Sequence, residues 1–219
     1  MTHLDVEIKS LKTDMMEMFT MVRSQLAKSR EALVRLDKDL AREVMVNEKR
    51  VNSFELKLDR DCENIIALFN PVAVDLRFVL ASLKINSNLE RVGDIADGIA
   101  RFIINIKLEP ELDLLEKTRL LEMFDTATGM LNDVALAFEN EDTKLARSIF
   151  KNDEILDEIN QDANGVIAEY IRTNTDRINQ SLYLLSIIRK LERVGDQSKN
   201  IAEEIIFYIE AKVLKHKIQ

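Results

Sequence analysis

Apolar residues recur along the chain at alternating three- and four-residue steps. Ala41, Val44, Val51, Phe54, Leu58, Cys62 and Ile65 form one such series, and Leu89, Val92, Ala96, Ile99 and Ile103 form another. This spacing keeps one face of an α-helix apolar, because residues three, four and seven apart share a side when a turn holds about 3.6 residues. The pattern is interrupted at five places: 36–39, 70–71, 108–110, 139–142 and 173–176. Five breaks predict six long helices, and connections this short fold successive helices into antiparallel hairpins. Two breaks carry helix-start chemistry. Asn70 before Pro71 suits an N-cap followed by proline at the first helical position, and Asp113 with Glu116 has capping-box spacing.

The pattern is also stated twice. Leu89–Asp94 reads LERVGD, and so does Leu191–Asp196, 102 residues later; segments 88–100 and 190–202 agree at 8 of 13 positions. Upstream, Leu40, Ala41, Arg42 and Asn47 return as Leu145, Ala146, Arg147 and Asn152 at an offset of 105. The difference of three residues falls most simply at the hairpin containing Pro71, whose counterpart near Asn174 has no proline. The expected fold is all-α, two tandem three-helix bundles produced by internal duplication, 1–108 and 109–219, divided around Pro110.

Composition narrows the class. Five glycines and two prolines in 219 residues leave little material for the turns of a β-protein. With 46% hydrophobic and 32% charged residues the chain is too apolar to stay disordered. No stretch approaches the roughly 18–20 apolar residues of a membrane span, so direct membrane insertion is not expected. Residues 1–19 carry charges throughout and lack a secretory pattern, which makes the cytoplasm the expected location. A net charge of −8 argues against a nucleic-acid partner. The basic cluster at 212–218 reads as a solvated helix end or a docking segment. The single cysteine, Cys62, lies on the apolar stripe with Leu58 and Ile65 and reads as core; it excludes an internal disulfide and a cysteine-cluster metal site. No glycine-rich phosphate loop or nucleophile triad is visible, and the two histidines, His3 and His216, are terminal, so no catalytic turnover is expected.

The acids are where chemistry concentrates. On one helix Glu90, Asp94 and Asp97 share a stripe, as do Glu192, Asp196 and, eleven residues after Glu192, Glu203. A second stripe precedes each: Glu48, Asn52 and Glu55 in the first half, and Asp153, Asp157 and Asn160 in the second. Folded about residue 70, Glu48 lies 22 residues before the turn, with Glu90 and Asp94 20 and 24 after it. About residue 174, Asp153 lies 21 before, with Glu192 and Asp196 18 and 22 after. At about 1.5 Å per residue, each half sets its two stripes at one level. Like charges one turn apart cost roughly a few tenths of a kcal/mol, and a second opposed stripe adds to that. Two explanations stand side by side: a carboxylate cage for hard cations such as iron, manganese, magnesium or calcium, with zinc through oxygen ligands, or an ordinary solvated acidic face partly neutralised by Arg91 and Arg193. Gly93 and Gly195, between the acidic and apolar stripes, would let a neighbouring group come close.

The repeated LERVGD, together with Pro71–Arg77 (PVAVDLR) at the start of the third helix, resembles PhoU, the family of bacterial regulators of phosphate uptake, over nearly the whole chain. The resemblance implies two three-helix bundles related by a pseudo-twofold axis. It also implies multinuclear iron clusters, with zinc, manganese or magnesium as alternatives, held by Glu/Asp-x-x-x-Asp motifs on the bundle surface. One site would use Glu48, Glu90 and Asp94, flanked by Asn52, Glu55 and Asp97. The other would use Asp153, Asp157, Glu192 and Asp196, flanked by Asn200 and Glu203. Where the family tends to continue its motif with histidine, asparagine and glutamate, the second half has Gln197 but keeps Asn200 and Glu203. The first half has Ile95, Gly98 and Arg101, and its preceding motif pairs Glu48 with Asn52. On that pattern the second site is expected to bind metal more tightly. The resemblance further implies a non-catalytic adaptor between the phosphate transporter's ATPase subunit and the cytoplasmic region of a membrane sensor histidine kinase, able to form a homodimer. The rivals are a ferritin-like di-metal enzyme, which needs Glu-x-x-His motifs this sequence lacks, and a metal-free structural bundle.

Overall fold

The computed structural model describes residues 2–213. Its long helices are α1 (His3–Arg35), α2 (Lys38–Phe69), α3 (Ala73–Asn105), α5 (Leu120–Asn140), α6 (Thr143–Thr173) and α7 (Ile178–Glu210), with a short α4 (Leu112–Lys117) and a 3₁₀ turn at Thr175–Arg177. Among the described residues there is no strand, and no helix is long and apolar enough to cross a membrane.

The hairpin turns repeat as the sequence does. Asp37 caps α2 by accepting the N–H groups of Asp39 and Leu40 at 3.0 and 2.9 Å, and Asp142 caps α6 by accepting those of Lys144 and Leu145 at 2.9 and 3.0 Å. Each is preceded by a left-handed residue, Leu36 (φ 48°) and Glu141 (φ 56°).

Three sequence expectations are corrected. Asn70 does not open α3; it closes α2 in the left-handed conformation, and Val72 precedes α3 without a side-chain cap. Asparagine tolerates that conformation, and the proline after it disfavours continuing the helix. Asp113 and Glu116 form no capping box: α4 starts after Glu111 without a cap bond, and Asp113 pairs with Lys117 at 2.7 Å. Finally, among the described residues the six expected helices become seven α-helices, because the chain breaks at Thr118–Arg119. The Thr118 hydroxyl donates to the Leu114 carbonyl at 2.7 Å, and Arg119 turns left-handed (φ 52°) with its guanidinium on Glu122 and Glu158 at 2.7 and 2.6 Å.

Helices α1–α3 make one bundle and α5–α7 the other; α3 lies along α7 and α1 meets α5. The apolar stripes thereby merge into one core, joined across the halves by Phe19, Phe78, Phe138 and Tyr208, whose ring centroids lie 5.5–6.2 Å apart. Cys62 is fully buried in it. Across the α3–α7 contact, the Lys190 side chain lies over Gly98, and Asn200 donates to the Asn88 side chain at 3.3 Å. Residues 88 and 98 correspond to 190 and 200 at the offset of 102, so these two contacts are images of each other. A pseudo-twofold axis therefore passes between α3 and α7. The acidic stripes lie to either side of it.

Candidate metal centre

In the first half Glu48 of α2 and Glu90 and Asp94 of α3 bring one carboxylate oxygen each to within 4.8 Å of one another. Gly93 explains how. A β-carbon there would stand 2.9 Å from Glu48 Oε2, 3.1 Å from Val51 Cγ1 and 3.2 Å from Gln25 Oε1, so the missing side chain is the space in which the Glu48 carboxylate and the Gln25 amide sit. Glu48 is only 7% exposed. Gln25 of α1 donates to its Oε2 at 3.1 Å, while Glu48 Oε1 and Gln25 Oε1 are buried without a hydrogen-bond partner. Burial pushes the Glu48 carboxyl up to about 7; the Gln25 bond works against this, and the fields of Asp94, Asp97 and Glu90 add to it. Glu90 is raised by burial, then by Asp94 and Glu55, against the pull of Arg91, and Glu55 is raised by burial, then by Asp59 and Asp94.

The other first-half candidates stand around this group. Asn52 is exposed on α2, and Asp97 is claimed by Arg101 at 2.6 Å. A buried carboxylate oxygen with no donor is costly unless a proton or a cation meets it. An all-oxygen donor set at the surface end of a buried glutamate fits a hard cation.

The second half repeats the backbone but not the charge balance. Asp153 of α6 is 4% exposed and packs on Gly195 of α7, where a β-carbon would stand 2.5 Å from Asp153 Oδ1 and 2.6 Å from Leu156 Cδ1. Its Oδ2 pairs with the ammonium of Lys199, which also lies 2.9 Å from Asp196 Oδ1. Asp153 is nevertheless raised by burial, against Lys199, and Glu192 by burial and then by Asp196, Asp157 and Asp153. An open groove of about 800 Å³ runs alongside, lined by Arg147, Lys151, Asp196, Asn200 and Glu203 among others. Asn200 is turned toward α3 and bonds Asn88. Among the described residues, three carboxylates converge within 4.8 Å only in the first half.

The PhoU domain, as a sequence family, matches residues 15–103 and again 120–205. The chain is 34% identical over 216 residues to the phosphate-specific transport system accessory protein PhoU of Escherichia coli, covering 97% of this chain and 87% of that protein. It is 30% identical over 214 residues to PhoU homolog 1 of Thermotoga maritima, covering 97% and 91%.

The chain belongs to the PhoU family.

The crystal structure of PhoU from Pseudomonas aeruginosa matches it with a TM-score of 0.89 at 26% identity, over 96% of this chain and the whole of that one. The all-α duplicated architecture is thus that of PhoU structures, and the two family matches fall on the two bundles.

Two participants at the clusters lie outside the acidic stripes. Gln25 supplies the amide on Glu48, and Lys199 stands among the second-half acids. Both were within reach of the repeat. Glu17–Phe19 and Glu122–Phe124 both read EMF, which carries the offset of 105 into α1 and α5 and sets Gln25 against Met130; the offset of 102 sets Asp97 against Lys199. The second-half acids do not make an open cluster, because Lys199 pairs with Asp153 and Asp196. The basic tail from residue 214 onward, with His216, lies outside the described residues; Lys212 pairs with Glu210 at 3.1 Å.

Proposed function

We propose that this chain is an accessory protein of a phosphate-specific transport system. In this reading it restrains phosphate uptake and phosphate-starvation signalling as a cytoplasmic adaptor, without turnover. The observation that supports the reading is the match, over 97% of the chain, to proteins named as accessory proteins of phosphate-specific transport systems. The partners in this reading are the transporter's ATPase subunit and the cytoplasmic region of a membrane sensor histidine kinase. A rigid helical body with two related faces suits bridging two partners, and acidic patches favour steered electrostatic docking.

Metal belongs to the same reading. Glu48, Glu90 and Asp94 would hold a cation, iron first and manganese, magnesium or zinc as alternatives. The unpartnered Glu48 Oε1 and the oxygen-only donor set support it. A bound cation would supply the positive charge that Gln25 cannot, and so would organise the acidic surface of the first bundle. The ferritin-like alternative lacks support: among the described residues the histidine is His3, at the start of α1, far in sequence from either acidic stripe.

Affinity capture of the tagged chain from phosphate-replete cells tests the adaptor. The expected result is recovery of a phosphate-transporter ATPase and a histidine kinase, with loss of uptake control on deletion of the gene. Recovery of neither, with phosphate uptake unchanged by the deletion, overturns it.

A further inference from the structure

Because the chain is duplicated, each side chain near one cluster has a counterpart near the other. At the offset of 102, Glu90, Gly93 and Asp94 correspond to Glu192, Gly195 and Asp196, all conserved in type between the halves, but Asp97 corresponds to Lys199. At the offset of 105, Glu48 corresponds to Asp153 and Gln25 to Met130.

These exchanges act together. In the first half a neutral amide satisfies one oxygen of Glu48 and leaves the cluster's negative charge intact, with the other oxygen buried and unpartnered. In the second half Met130 is fully buried and offers no donor. Asp153 has one methylene fewer than Glu48. The ammonium of Lys199 bridges Asp153 and Asp196, which come from α6 and α7. The side chain that delivers it is 28% exposed, and the Asp153 side chain it meets is 6% exposed. Asp153 Oδ1 stays buried without a hydrogen-bond partner, as Glu48 Oε1 does, so the halves differ in the ammonium, which neutralises Asp153 through Oδ2 where the first half has no charge partner. A divalent ion entering this half must break two ion pairs and settle beside a displaced positive charge, whereas in the first half it meets none within ion-pair distance of Glu48, Glu90 or Asp94 among the described residues.

We propose that Lys199 is the resident cation of the second carboxylate cluster and keeps metal ions out of it, so that removing the lysine opens a cation site formed by Asp153, Asp157, Glu192 and Asp196. The proposal rests on the metal reading of the first cluster for its contrast between the halves. Metal ions then bind at one face of the molecule and not at the other.

The test is Mn²⁺ binding to the full chain by equilibrium dialysis with elemental quantification. The set comprises the unmodified protein, Asp94→Asn, Asp196→Asn, Lys199→Met, Lys199→Gln and Lys199→Met/Asp196→Asn, with far-UV circular dichroism on each. The expected result is that Asp94→Asn loses bound Mn²⁺, Asp196→Asn loses none, and each Lys199 variant binds about twice the Mn²⁺ per chain, a gain cancelled by adding Asp196→Asn. Two lysine variants are used so that one that fails to fold leaves the other to decide. A loss of Mn²⁺ in Asp196→Asn, or folded Lys199 variants with no gain, overturns the proposal; if Asp94→Asn still loses ions, the metal reading of the first cluster survives. If the unmodified chain binds nothing and the lysine variants bind Mn²⁺, the proposal stands and the first-cluster reading falls. No binding by any variant ends both.

Discussion

Glu48 is the residue on which burial and charge conflict most. It is held in the gap left by Gly93, with a single amide donor and three acids nearby, and its carboxyl is pushed up to about 7 against an ordinary 4.5. A carboxyl that keeps its proton longer folded than unfolded makes the folded state the greater proton binder between those two values. Stability of the metal-free protein therefore falls as pH rises from about 4.5 to 7, and the loss is complete above that window. The size is roughly 3–4 kcal/mol, at about 1.4 kcal/mol per pH unit between the two values. Glu48→Gln keeps an acceptor for Gln25 and removes the charge. Urea unfolding of the two metal-free proteins at pH 5 and pH 8 should show the substitution stabilising at pH 8 and nearly neutral at pH 5. Equal differences at both values would mean that Glu48 is not strained by its charge.

At the scale of the helix, glycine separates positions that matter from positions that do not. Gly129 in α5 and Gly165 in α6 have nothing within 4 Å of where a β-carbon would lie. Alanine there should stabilise by about 0.5–1 kcal/mol each, the ordinary propensity gain in a helix interior. At Gly195 the same gain is opposed by Leu156 Cδ1 at 2.6 Å and Asp153 Oδ1 at 2.5 Å, and the net change should be a loss of about 1–3 kcal/mol. Thermal unfolding of the three variants gives the order directly, and a stabilised Gly195→Ala would show that α6 and α7 have room to part. The helices themselves were legible, because an apolar period sustained over some thirty residues is a strong signal, and so were the hairpin positions. The break at Arg119 was not, since it is fixed by Glu158 on another helix and no local glycine or proline marks it. Asn70 was misassigned because Asn before Pro suits the end of one helix as well as the start of the next. The stripes and their shared level could be read from spacing alone, whereas the depth of Glu48 and the reach of Lys199 depend on how closely the helices pack.

The whole molecule adds a constraint that neither half carries. The sequence divides at Pro110 into two similar units, yet the aromatic seam belongs to both: Phe138 of α5 lies 5.7 Å from Phe19 of α1, 5.8 Å from Phe78 of α3 and 6.2 Å from Tyr208 of α7. All four lie in one apolar cluster, and Phe19 and Phe138 are wholly excluded from solvent. If the halves were separate folding units, a cavity at Phe138 would weaken α5–α7 and leave α1–α3 as stable as before. A shared core predicts otherwise. Phe138→Ala removes ring contacts made by both halves and should cost about 3–5 kcal/mol, spread over the molecule. Calorimetry should still show a single transition, shifted down, and hydrogen exchange in α3 around Phe78 should quicken together with exchange in α7 around Tyr208. Two resolved transitions, or faster exchange confined to α5–α7, would show that the halves unfold independently. In that case the carboxylate clusters on either side of the pseudo-twofold axis would be free to respond to a ligand separately. With a common core, an ion that stabilises the first bundle also stabilises the second, which is the physical route by which a face without metal could sense a face that holds it.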